Sequence, residues 1–221
     1  MVDLVVYGAS GFGQQVMFWV EDANAAEPRF RIRGFVDDHP SAHGDERTGH
    51  AVLGGGDWLR ERAESAPVAV VLGLASPAVK RQLVRELPAA GIDFPSVVHP
   101  SAVVARHAVI ERGALVAPGC VASVNVRVGE FALVNSACTL GHDAQVGAYA
   151  ALLPGVNVSG GALLGEGVTV GTGAALVQGV EVGEGATIGA GATVVGDLPA
   201  GCTAVGTPAR PLSRGGEAGS G

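Results

Sequence analysis

Between Val98 and Pro199 the sequence repeats every six residues, 17 times without an insertion. The hexads are led by Val98, Val104, Ile110, Val116 and so on to Val182, Ile188 and Val194; 16 of the 17 leads are Val, Leu or Ile, and Ala122 is the exception. Four places after each lead stands Ala, Cys, Val or Leu. Helices repeat at 3.6 residues and strands at 2, so neither produces a period of six. A triangular coil does. Each hexad makes one flat side and one corner, with an aliphatic residue pointing in from the side and a small one filling the corner. Three hexads close an 18-residue coil, so 17 hexads make roughly 5.7 coils; stacked at strand spacing of about 4.8 Å, they form a prism roughly 27 Å tall. Such a repeat predicts a left-handed parallel β-helix, an exception to the usual right-handed crossover.

The composition suits that prism. The chain has 35 glycines among 221 residues, about twice the average usage of roughly 7%. Sharp corners need the positive φ or close backbone approach that glycine allows. There is no G-X-Y period, which excludes collagen, and the 48% hydrophobic content excludes disorder. No apolar run approaches about 18 residues, and the start, MVDLVVYGAS, lacks a signal peptide's basic end and long apolar core. A soluble cytoplasmic protein is therefore expected. A net charge of -7, with Lys80 the single lysine, speaks against nucleic acid as a partner. Three cysteines without a C-x-x-C pair make neither a zinc site nor a disulfide framework. Cys120 and Cys138 stand one coil apart; they read as a redox pair at bridging distance or, preferably, as small buried fillers in an Ala-like column.

The first 95 or so residues alternate strands and helices. Strands are predicted at 4–7, 31–38 and 68–73, helices over 14–23 and from a Ser76 cap through Leu87 with Pro77 at the first position. The stretch from His39 to Gly56 reads as loop. This alternation predicts an α/β, Rossmann-like domain with a small parallel sheet and right-handed crossovers. Gly8, Gly11 and Gly13 follow the first strand and open a helix, an arrangement that offers free N–H groups to phosphate oxygens. The spacing departs from G-x-G-x-x-G, so a dinucleotide is not indicated. Asp37 and Asp38 follow the second strand and read equally as ligand contacts to a ribose or base edge and as a plain turn.

Among six histidines, His39, His43 and His50 fall in the polar loop and are expected to be solvated, and His99 and His107 read as structural or exposed. His142 differs. It holds the third place of the hexad Leu140-Gly-His-Asp-Ala-Gln, beside a corner and facing outward, with Asp143 next to it. A neighbouring carboxylate fixes one imidazole tautomer and raises its basicity, as general-base work requires. Gly160 lies one coil above. Its bare side would let a ligand carbonyl approach the backbone N–H as an oxyanion donor, or it serves the corner alone.

Taken together, YGASGFG, GFVDD, HPSAVV, VNSACTLGHDAQVG, PGV, IGAGATVVGDLP and VGTPAR make the sequence resemble the sialic acid O-acetyltransferase (NeuD) family of hexapeptide-repeat acyltransferases. Within it, the chain looks most like the PglD/PerB-like N-acetyltransferases of nucleotide-linked 4-amino sugars. The resemblance covers nearly the whole chain. It implies a nucleotide-sugar-binding domain over 1–95, a β-helix acyltransferase domain over 96–212 and a disordered tail over 213–221. It makes His142 the base, Asp143 its acidic neighbour and Asn135 a contact of the acceptor amine. Ser10, Gly11, Phe12, Asp37, Asp38 and Gly73 match nucleotide-sugar contacts. Acetyl-CoA, the cosubstrate, would lie near Gly160, Thr172 and Ala190, and no metal is implied. Phe12 stands where the family usually has His, and Ala151 where some members place a second His near the coenzyme. A homotrimer with coenzyme between neighbouring prisms is implied, and flat uncharged faces agree with that. The alternatives are O-acetylation of a sialic acid or another sugar hydroxyl, and a non-catalytic scaffold or nucleotide-sugar sensor.

Overall fold

The computed structural model of the chain describes residues 1–87 and 91–212; the tail expected over 213–221 lies outside the described residues. The N-terminal part runs β1 (Val2–Tyr7), α1 (Gly11–Ala26), β2 (Phe30–Val36), β3 (Glu46–Arg47), β4 (His50–Ala51), α2 (Gly56–Ser65), β5 (Val68–Leu72), α3 (Pro77–Glu86) and β6 (Ile92–Asp93). Its parallel sheet has the order β2-β1-β5-β6. Leu4, Val5, Val6 and all of β5 are buried, as a parallel sheet covered on both faces requires. Ser76 caps α3 by accepting from Val79 N, with Pro77 in the first turn.

The stretch 39–56 is more than a loop. It holds a short 3₁₀ turn at Pro40–Ala42, the antiparallel β3–β4 pair and the start of α2. The sequence hides α2 because it buries only Gly56, Leu59 and Ala63 among charged neighbours, too narrow a stripe to register as apolar periodicity. His50 is not simply solvated either, since its Nε2 lies 2.8 Å from the Glu21 carboxylate. His43 Nε2 meets the Asp37 carbonyl at 2.7 Å.

From Val97 onward the chain is a prism of two-residue strands whose parallel partners stand 18 residues apart: Leu115 with Val97 and Leu133, Val121 with Val103 and Thr139, Arg127 with Val109 and Gln145. These strands form three sheets, the faces of a left-handed parallel β-helix. The first face begins at Val97–Val98, the second at Val103–Val104, the third at Val109–Ile110. Hexad leads from Val116 to Val194 are buried, so the core is a column of aliphatic side chains. At the fourth place of each hexad from Gly113 to Gly191 the backbone is left-handed, with φ between 57° and 73°; nine of these fourteen residues are glycine. The others are Asn125, Phe131, Ala137, Asp143 and Tyr149. The repeat shortens at its end: Ile188 pairs with Ala204 and Val182 with Leu198, two residues early.

Several contacts fix the N-terminal part to the prism. The buried Lys80 of α3 donates to the Phe131 carbonyl at 2.6 Å, while Arg81 pairs with Glu166 at 2.8 Å and covers the Tyr149 ring. Phe131 and Tyr149, stacked one coil apart at the corner after the third face, present an aromatic surface to α3, with Phe94 edge-on. At the prism's base, His99 bridges Asp22 of α1 (2.9 Å) and Ser101 (2.8 Å), a structural staple. Cys120 and Cys138 are free and buried, and their thiols point at the carbonyls of Asn135 and Leu153, the packing of small fillers.

Candidate active site

His142 projects from the corner after the second face, its side chain 57% exposed. Nδ1 lies 2.8 Å from Asp143 Oδ2. A carboxylate only accepts, so Nδ1 carries the proton and Nε2 of the neutral ring is left as an acceptor. Asp143 sits at φ 61°, a conformation that Asp tolerates better than most side chains. Its other oxygen accepts from Asn125 Nδ2 at 2.9 Å. The Asn125 amide, and after it His142, hold the Asp143 carboxyl below its usual range.

Gly160 lies one coil above, and its role departs from expectation. The left-handed corner position is Gly161, so the corner does not require glycine at 160. Nor is its side bare: a Cβ there would come within 2.6 Å of His142 Nε2. The imidazole occupies that space. Corner bonding runs from Gly161 N to the His142 carbonyl and leaves the Gly160 N–H without a protein acceptor among the described residues. Thr172 and Ala190 occupy the equivalent third place of their hexads, but at the corner after the first face. They stand across the second face from Gly160 rather than beside it. Asn135 is buried at that same first-face corner, with Oδ1 accepting from Ser136 N; it and His142 sit at opposite ends of one prism side.

The remaining candidates gather around a cavity of about 380 Å³ in the N-terminal part. Ser10, Asp37 and Asp38 line it, together with Tyr7, Gly8, His39 and Leu74. The first backbone bond of α1 runs from Gln14 N to the Ser10 carbonyl, so the N–H groups of Gly11, Phe12 and Gly13 precede the ladder at the positive end of the helix dipole. Helix and loop approach closely because Gly13 has no side chain: a Cβ there would sit 1.9 Å from the Gly8 carbonyl oxygen. Gly73 packs against Gly13 Cα in the same way, a packing role in which Leu74 supplies the lining. Phe12 packs its ring T-shaped against Trp19 and is not among the residues that line the cavity. Asp37 accepts from Ala9 N and His39 N, and Asp38 from Tyr7 Oη (2.7 Å) and Gly56 N, so both carboxylates tie loops together. Burial, then the Asp38 bond, raises the Tyr7 phenol above its usual range.

Sequence reasoning missed the wall that α3 contributes, Val79, Gln82, Leu83 and Glu86. Their i, i+3, i+4, i+7 spacing marks one helix face, but a mixed polar stripe gives no sign of what it faces. A larger groove, about 740 Å³, runs along the third face between Arg127, Gln145, Leu163 and Glu181. His142 does not line it.

Residues 3–87 match the PglD N-terminal domain, and residues 161–196 match the bacterial transferase hexapeptide (six repeats). No curated protein matches the sequence. Among solved structures, PerB from Caulobacter crescentus, in complex with CoA and GDP-perosamine, superposes with a TM-score of 0.88 at 26% identity, covering 96% of this chain and 98% of that one. The acetyltransferase domain of PglB from Neisseria gonorrhoeae gives 0.85 at 31% identity over 96% of this chain and the whole of that one; it has also been solved with acetyl coenzyme A. WeeI from Acinetobacter baumannii gives 0.84 at 29%, again over 96% of this chain and all of that one. Both halves of the molecule thus find their likeness in the same proteins, in the same order along the chain, and the chain belongs to the hexapeptide-repeat acyltransferases that carry a PglD-type N-terminal domain.

Proposed function

We propose that the enzyme transfers the acetyl group of acetyl-CoA to the amino group of a nucleotide-linked 4-amino sugar, with His142 as general base. The observation that carries this reading is the His142–Asp143 pair at 2.8 Å, which leaves Nε2 free beside Gly160 of the next coil. His142 Nε2 accepts the proton that the amine loses as its nitrogen attacks the thioester carbonyl. The Gly160 N–H donates to the carbonyl oxygen as it gains charge, and CoA leaves through its sulfur. No acyl-enzyme is needed, because both reactants are held side by side. The relatives' ligands, CoA or acetyl coenzyme A and in one case GDP-perosamine, support the substrate class.

The cavity around Ser10, Asp37 and Asp38 takes the nucleotide in this reading, its diphosphate against the start of α1. That cavity's α3 wall docks at the corner after the third face, whereas His142 stands at the corner after the second. Base and nucleotide pocket of one chain thus lie on different prism edges, which favours a trimer whose sites are completed between neighbours. The second face suits such packing: its outward residues Val103, Val121, Thr139, Asn157, Ala175 and Thr193 include no charge.

The test is thiol release from acetyl-CoA with UDP-, GDP- and dTDP-linked 4-amino sugars. His142→Ala is expected to lower kcat by roughly 10²–10⁴-fold while leaving the assembly unchanged. Undiminished turnover by that variant would remove the base, and turnover of sugar hydroxyls without amino sugars would overturn the acceptor.

A further inference from the structure

Two non-glycine residues stand in left-handed conformation one above the other at the corner that bears His142: Asn125 (φ 60°) and Asp143 (φ 61°). Nine of the fourteen equivalent positions use glycine, which meets that backbone requirement with no steric cost. Asparagine tolerates this conformation, but glycine meets it at nine of the fourteen corners, so corner geometry alone does not select an asparagine at 125. Its side chain has one partner among the described residues. Nδ2 donates to Asp143 Oδ1 at 2.9 Å, and the opposite oxygen of the same carboxylate takes the His142 Nδ1 proton at 2.8 Å. The Asp143 N–H also bonds back to the Val124 carbonyl at 3.0 Å, fixing the backbone between the two coils.

We infer that Asn125 is a positioning residue for the transfer reaction, orienting the Asp143 carboxylate so that it in turn holds His142 in the Nδ1–H tautomer. The inference rests on the reading of His142 as the base. Asp143 is exposed and beside its own histidine in sequence, so without a second anchor the carboxylate would rotate among rotamers and share its hydrogen bonding with water. Asn125 supplies that anchor from the coil below. Gly160 limits the ring from the coil above, where a Cβ would meet Nε2. Three successive coils thus define one imidazole orientation. The carboxylate's depressed proton affinity, whose largest cause is Asn125, agrees with this arrangement.

Asn125→Gly removes the side chain and keeps the backbone conformation, so folding is preserved. The expected result is a fall in kcat of about tenfold, a fraction of what a general base supplies, with KM for both substrates within about twofold of the parent and no fall in the urea midpoint. Nitrogen-15 correlation spectra of the ring, taken where His142 is neutral, should change from one tautomer to a mixture. Asn125→Asp keeps shape and corner tolerance but sets a second carboxylate against Asp143, and it should lose more activity than Asn125→Gly. Parent-like kcat in both variants, with His142→Ala inactive, overturns the role of Asn125 and spares the base. A change confined to KM also overturns it, making Asn125 a binding contact. Full activity of His142→Ala overturns both readings together.

Discussion

At the scale of single residues the proposed transfer depends on where one imidazole is held. Gly160 offers a direct check, because the three nearest atoms a Cβ would meet, at 2.6–3.0 Å, belong to the solvent-exposed His142 ring. Gly160→Ala should therefore fold normally, swing the ring aside and lower kcat by at least about tenfold, within the range a misplaced base costs. Unchanged kcat, together with a crystal structure showing the ring in place, would refute that packing. Asp143→Asn should lose less than His142→Ala, because the amide keeps one hydrogen bond while giving up the charge. The sequence reveals His142 and Asp143 by adjacency at an outward place in the hexad. It cannot reveal Asn125, 18 residues earlier, until coil stacking sets the two side chains within hydrogen-bond reach.

At the scale of elements, α3 is the bridge. One of its faces lines the N-terminal cavity, and another docks on the prism through Lys80 and Arg81. Lys80 is 1% exposed and has a carbonyl rather than a carboxylate as its partner. Burial draws its ammonium down to about 8, so the folded state binds fewer protons than the unfolded chain between that value and the ordinary lysine value of 10.5. Stability should therefore rise with pH from about 8 towards 10.5, by no more than about 3 kcal/mol. Lys80→Met should flatten that rise in urea denaturation. A parent-like slope in the variant would assign the pH dependence elsewhere. Nearby, a Cβ at Gly113 would come within 2.4 Å of the Phe131 ring, on a backbone at φ 69°. Gly113→Ala should accordingly cost about 1–3 kcal/mol, read as a lower thermal midpoint. The hexad period makes the prism strands from Val97 to Val194 legible, whereas α2, the β3–β4 pair and β6 are not, since their few buried residues form no period.

At the scale of the whole molecule, the separation of the N-terminal cavity from His142 on different prism edges makes assembly part of the proposed chemistry. Light scattering should give a mass about three times the 22.0 kDa of one chain. A charge placed on the second face, Val121→Arg, should dissociate the particle and abolish transfer together, with secondary structure retained, because Val121 points outward and its removal leaves the aliphatic column intact. An active monomer would show that one chain suffices.

The prism is written in the chain's period, since a six-residue repeat admits a triangular coil and little else, and the side chains that fill it need only be aliphatic and evenly spaced. The α/β character of the N-terminal part and the histidine with its acidic neighbour are equally legible. What these residues meet emerges with folding: Gly160 makes room for an imidazole, Asn125 reaches Asp143, Asp37 and Asp38 brace their own loops, and α3 joins cavity to prism. The reason is physical. Period and composition fix which way each side chain points, but contacts between residues far apart in sequence exist only once coils are stacked and domains docked, and it is those contacts that set tautomer, charge and reach.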